Sequence, residues 1–263
     1  MFQPEHAYLI QEKTPEQSRV FGRQIYLIEQ AQQYYWLKLQ QPQGHVEFQQ
    51  GFQREVECYQ QWRAFQPSFL LESQYFFELQ LPELLQPAQA LLLPHVPRLF
   101  IDLSILSYSD VIQRIADALE QLAVLHDLGY VHGDIKAAHF RYVDRQVFLL
   151  DFEQVQPIGL HMPILNATPR YMAPELFHAQ AKTIQSDLYA LGIVLYEWLT
   201  QTRLSSKSYQ DWALFHCQTA TFDLPIQWQA LQPCLDGLLA CDFRARFLSA
   251  KQASLCLKTI KLY

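Results

Sequence analysis

The sequence predicts an α+β chain in which a small antiparallel sheet with one main helix precedes a larger, mainly helical region. Three observations carry that expectation. Short alternating or aromatic-rich runs fill roughly the first hundred residues, an apolar helical period dominates from Ser109 onward, and Pro94 and Pro97 punctuate the apolar run between the two patterns.

In the first region HAYLI, RQIYLIEQ, YYWLKLQ, YFFELQL and ALLLPHV read as strands, because β-branched and aromatic residues suit a pleated, half-buried surface. One helix interrupts them. In EFQQGFQREVECYQQWRAF, the residues Phe48, Phe52, Val56 and Tyr59 recur at helical spacing and form an apolar stripe able to pack on the sheet. Further on, Val111, Ile112, Ile115, Leu119, Leu122 and Leu125 mark a long amphipathic helix that should end near Gly129, a residue suited to the C′ position. A small strand pair is expected around YVHGDIKAAHF (130–140) and RQVFLLDFE (145–153). With the boundary at the two prolines, about 1–96 form the sheet region and hinge and about 97–263 the helical region of a single domain.

Composition excludes several classes. A chain of 263 residues with 50% apolar content can bury a large core. Its net charge of −6 argues against a nucleic-acid partner, which would call for an excess of Lys and Arg. Five cysteines without C-x-x-C spacing fit neither a disulfide framework nor a zinc site, so a reducing cytoplasm is expected. The opening MFQPEHAYLIQEK lacks the basic and apolar blocks of a signal peptide. No membrane span is expected either, because the most apolar stretch, Leu188 to Leu199, is interrupted by Glu197 and is shorter than the ~20 residues a span needs.

The chemistry is concentrated in a few motifs. HGDIKAAHF (132–140) is followed by LLDFE, which puts Asp151 at the end of a buried strand, and then by RYMAPEL (170–176). These resemble the catalytic loop H-R-D-x-x-x-x-N, the D-F-G segment and the A-P-E segment of the protein kinase family. SDLYALGIVLYEWLT (186–200) resembles that family's large-lobe helix, anchored through Asp187. CDFRARF (241–247) resembles its late D-P-x-x-R-P segment, whose Arg246 would pair with Glu175. The resemblance spans the chain from first strand to last helix and implies a two-lobed protein-kinase-like fold with ATP and Mg²⁺ as cofactors.

It also implies roles. Asp134 would accept the proton of the hydroxyl under attack, Lys136 would sit near the transferred phosphate, and Asp151 would hold the metal. Lys38 in YYWLKLQ would contact the α and β phosphates. Its partner should be Glu55 rather than Glu57, since Glu55 lies on the rim of the face defined by Phe52, Val56 and Tyr59. By the same resemblance the backbone C=O of Pro94 and N–H of Val96 would bind adenine, while His132 reads as a packed core histidine.

Four departures temper that picture. In EKTPEQSRVFGRQI only Gly22 stands where a Gly-rich loop is expected. Arg19 and Arg23 there read as surface arginines, with a phosphate contact as the alternative. Gly133 replaces the Arg of H-R-D, and between Asp151 and Glu175 the only hydroxyl side chains are Thr168 and Tyr171, so phosphorylation of that segment is not the expected switch. His139 stands where a metal-binding Asn belongs, as in the bacterial lipopolysaccharide-core sugar kinases, and would make Mn²⁺ a possible metal. Glu153 replaces the Gly of D-F-G, and would either lock the loop or bring a second carboxylate to the metal. The expected function is an ATP-dependent phosphotransferase acting on a protein hydroxyl. The alternatives are a pseudokinase that binds or scaffolds without turnover and a small-molecule or sugar kinase. The expected partners are ATP and an unidentified protein or small-molecule substrate.

Overall fold

A computed structural model describes residues 8–14, 19, 22–41, 45–80, 88–161 and 167–259. The chain divides into two compact units, residues 1–97 with 150–153, and residues 98–149 with 154–263.

In the first unit, β1 (Tyr8–Glu12), β2 (Arg23–Gln30), β3 (Gln33–Gln40), β4 (Gln74–Leu79) and β5 (Ala88–Pro94) form one antiparallel sheet in the order β1-β2-β3-β5-β4. The strand period decides which residues meet. Leu37 and Leu39 of β3 turn to one face and pack with Ile28, Leu79, Ala88, Ala90 and Leu92. Lys38, between them, turns to the other face, opposite Ile25 and Leu91 in the register. The β2–β3 hairpin closes through Ala31 and Gln32, both at left-handed φ (50° and 63°), the twist that a two-residue hairpin requires. Helix α1 (Val46–Trp62) buries Phe52, Val56, Tyr59 and Trp62. Its last turn joins an aromatic cluster in which Phe152 meets Tyr59, Trp62 and Phe69 at 5.1–5.9 Å between ring centres, in edge-to-face geometry. Phe152 therefore ties the segment 150–153 to α1.

The second unit is mainly helical. Helix α2 (Tyr108–Asp127) starts at a capping box between Ser107 and Asp110 and stops where Gly129 takes a φ of 87°. Around the catalytic-loop segment the expected single strand pair is in fact two. Strand β6 (Tyr130–Val131) pairs with β9 (Gln156–Pro157), and β7 (Phe140–Val143) pairs with β8 (Gln146–Leu149). The second hairpin again turns on two left-handed residues, Asp144 and Arg145. After the short α3 (Pro174–Phe177) comes α4 (Ile184–Thr200), whose residues 186–195 are all buried. Gly192 lets α4 approach α6 (Gln232–Leu239), since a Cβ there would lie 2.6 Å from Leu239. Helices α5 (Tyr209–Leu214) and α7 (Ala250–Lys258) complete the unit. No described helix is long and apolar enough to cross a membrane. The five cysteines are all free thiols.

Candidate active site

The first unit holds a compact charged cluster. Lys38 Nζ lies 2.5 Å from Glu55 Oε2 and 3.0 Å from Asp151 Oδ1, and it also contacts the Glu153 carboxylate. Glu55 is 1% exposed, and its other oxygen accepts the Phe152 N–H at 3.3 Å. Glu57, one face away, is exposed. Burial alone would lower the Lys38 pKa, but Asp151, Glu153 and Glu55 outweigh it and hold the ammonium well above the usual lysine value. Burial pushes the Glu55 carboxyl upward more strongly than Lys38 pulls it down, and Asp151 and Glu153 add to the rise. Asp151 itself carries a left-handed backbone, φ 66°, a strained setting of the kind found at functional positions.

Arg23 corrects an expectation. It is no surface arginine: it is 4% exposed, with its guanidinium against the Phe52 ring. It donates to Gln40 Oε1 at 3.0 Å and to the Phe48 carbonyl at 3.2 Å, and it pairs with the Glu153 carboxylate. Arg54 of α1 donates to the Glu153 carbonyl. A Cβ on Gly51 would stand 3.1 Å from Glu153 Oε2, a tight approach that the glycine relieves. Arg19 is exposed, and residues 15–18, 20 and 21 of the expected phosphate loop lie outside the described residues. Pro94 ends β5 and Val96 is buried, and between them the His95 N–H donates to the Tyr34 carbonyl at 2.8 Å.

The second unit builds its own constellation on the loop between β6 and β7. The buried Asp187 of α4 accepts the backbone N–H groups of His132 (2.6 Å) and Gly133 (2.9 Å), and His126 Nε2 lies 3.1 Å away. Burial would raise the Asp187 pKa, yet the hydrogen bond and charge of His126, the charge of His132 and the Gly133 N–H together hold it below the usual value. Asp134 is then presented with both carboxylate oxygens engaged. Thr168 Oγ1 donates to Oδ1 at 2.9 Å, and Lys136 Nζ sits 2.7 Å from Oδ2. His139 is buried, stacks on His132 at 5.6 Å, and donates from Nδ1 to the Asp134 carbonyl at 2.9 Å. A carbonyl only accepts, so Nδ1 is the donor.

Gly133 explains the lost arginine. With φ 77°, a Cβ there would meet the Gln154 carbonyl at 2.5 Å and the Lys182 side chain at 2.9 Å, so the space is filled by a buried lysine from elsewhere in the chain. Farther on, Arg246 and Glu175 make a buried, two-pronged ion pair at 2.8 and 2.7 Å.

A family model described as protein kinase domain matches residues 90–252. The chain belongs to the protein kinase domain family. The kinase Pkn1 of Myxococcus xanthus is 36% identical over 100 residues, 34% of this chain and 14% of that protein. PksC of Streptomyces coelicolor is 29% identical over 133 residues, 48% of this chain and 24% of that one. WNG1 of Toxoplasma gondii is 42% identical over 73 residues, 27% and 11% of the two chains. All three are named as serine/threonine-protein kinases, and the chain spans no more than about a quarter of their length. Among solved structures, the kinase PK-1 of Cydia pomonella granulovirus superposes with a TM-score of 0.70 at 14% identity, covering 95% of this chain and 92% of that one, a likeness of fold.

Proposed function

We propose that this chain is an ATP-dependent phosphotransferase of the serine/threonine protein kinase type, residues 1–263 working as one domain with about 1–96 and 97–263 as its lobes. The observation that carries the reading is at Asp134, whose carboxylate accepts a hydroxyl on one oxygen and an ammonium on the other. A general base for a hydroxyl must lie within hydrogen-bond reach of such a group, and Thr168 occupies a hydroxyl seat on it. In this reading Asp134 takes the proton of the acceptor hydroxyl. Lys136 keeps that carboxylate oriented and offsets charge on the transferred phosphate. Lys38, steadied by Glu55, offsets charge on the α and β phosphates, and Pro94 and Val96 offer the backbone acceptor and donor for adenine.

A divalent cation fits the donor set. Asp151 offers a carboxylate oxygen, and the neutral ring of His139, with Nδ1 on the Asp134 carbonyl, would offer Nε2. Asp151 and His139 are the ligands of this reading, with Mg²⁺ the usual ion and Mn²⁺ the one that better tolerates imidazole. When bound, the ion supplies charge neutralisation of the phosphate oxygens. The A-P-E segment and Thr168 favour a protein hydroxyl over a sugar as acceptor. The free thiols fit a cytoplasmic setting.

Transfer from labelled ATP to generic protein substrates and to the protein itself, with Mg²⁺ and with Mn²⁺, tests this. Asp134→Ala should abolish it, and wild-type transfer no greater than that variant's would refute the proposal. A second reading, nucleotide binding without turnover, draws on the Glu153 carboxylate set against Lys38. Metal-independent nucleotide stabilisation without transfer would favour it.

A further inference from the structure

We infer that Glu153 sets the affinity for nucleotide, because its carboxylate holds on Lys38 the place a phosphate oxygen would take. The inference rests on the reading that nucleotide phosphates bind at Lys38. An ammonium has three N–H bonds; Lys38 donates two of them, to Glu55 and Asp151, and the Glu153 carboxylate lies against the same ammonium. A phosphate oxygen that is to take the third therefore competes with the Glu153 carboxylate.

The three are not equally free to go. Glu55 is almost wholly buried, with its second oxygen on the Phe152 amide. Asp151 is the residue that the proposed cation would draw away from Lys38. Glu153 already has another cation. Arg23 pairs with it, and Arg23 is itself fixed by Gln40, the Phe48 carbonyl and the Phe52 ring. Arg54 anchors the Glu153 backbone, and Gly51 leaves the room its carboxylate occupies. The side chain thus has a built seat on Arg23 into which it withdraws while its backbone stays in place.

The charges give the direction. Three carboxylates gather on the one ammonium, so an incoming phosphate brings further negative charge against them. Glu153 therefore weakens phosphate binding and makes it lean on a divalent cation.

The test compares binding of ADP and of adenosine, with and without Mg²⁺, by titration calorimetry to wild type, Glu153→Gln and Glu153→Gly. Glu153→Gln should tighten ADP roughly tenfold, the scale of one charge-assisted hydrogen bond, leave adenosine within about twofold, and shrink the effect of Mg²⁺. Glu153→Gly should move ADP the same way. Should Arg23 without its partner compromise folding, the double variant Arg23→Met with Glu153→Met removes both charges and should still bind ADP more tightly. Unchanged or weaker ADP binding, equal tightening of adenosine, or no ADP binding by any variant overturns the inference. The two readings fail separately. Tightened ADP without transfer above Asp134→Ala sinks only the enzymatic proposal, and transfer with unchanged ADP affinity sinks only this one.

Discussion

Arg246→Ala should be among the most damaging single changes in the second unit. The guanidinium is 2% exposed and donates to Ala240 O at 2.6 Å, to both oxygens of Glu175 at 2.8 and 2.7 Å, and to Gln185 O and Cys241 O at 3.2 Å. All five N–H groups are used, and its flat face lies 4.9 Å from the Tyr189 ring. Truncation leaves a buried carboxylate and three carbonyls without their donor, a loss of about 3–5 kcal/mol. Unfolding entropy near 2.1 cal/mol/K per residue comes to about 0.55 kcal/mol/K for the whole chain, so the melting point should fall by about 5–9 °C. If residues 98–149 and 154–263 melt alone, the fall is about 9–15 °C. Calorimetry on Arg246→Ala, Glu175→Ala and the double variant decides the matter. Each single change strands a charge that the double does not, so the double should cost at least about 1 kcal/mol less than the two singles together. Strict additivity, or a single-variant cost under about 1 kcal/mol, would refute the reasoning.

His216 is buried beside the Tyr189 hydroxyl at 2.8 Å, and burial depresses its pKa to about 4 from 6.5. The unfolded chain takes up that proton first as pH falls, so stability should be lost from about pH 6.5 down to about 4, roughly 3 kcal/mol in all; urea unfolding at pH 7.5 and 4.5 should show a steeper loss than in His216→Gln. Gly133→Ala should cost at least ~2 kcal/mol, since strain at φ 77° is joined by a 2.5 Å collision, whereas Gly129→Ala, at φ 87° but with nothing within 4 Å, should cost ~1 kcal/mol; equal losses on denaturant titration would contradict the collision. On the proposed function, Thr168→Ala should lower kcat roughly tenfold at nearly constant KM for ATP while Thr168→Ser stays close to wild type, and equal effects of the two would remove the hydroxyl from the argument.

The elements were legible wherever periodicity was strong. Phe52, Val56 and Tyr59 named the buried face of α1, and the Ser109 to Gly129 pattern gave α2 nearly to its caps. Helical phase alone separated Glu55 from Glu57. What stayed hidden depends on contacts between distant residues. Arg23 looks like any polar residue at a strand start, and its burial goes with a register opposite Gln40, two residues from Lys38, that only the structure shows. Thr168 reached Asp134 across 34 residues, and Lys182 fills the space beside Gly133 across 49, distances that no local pattern encodes. Glu153 stands out in the sequence as an odd residue, but its contact with Lys38 depends on residues 150–153 belonging with the first unit, which the sequence does not show. The two-residue β6 likewise has no pattern of its own, and its pairing with β9 instead of β8 follows from topology.

The Asp187 carboxylate leaves its mark on the loop it holds. It receives the amides of His132 and Gly133 from the first turn of a helix whose residues 186–195 are all buried. Solvent deuterium should therefore reach those two amide protons slowly, and the residues just before Asp134 should exchange more slowly than those of an exposed loop. A segment without regular structure thereby shares the persistence of the core, and the carboxylate at 134 rides on the part of the molecule least given to opening.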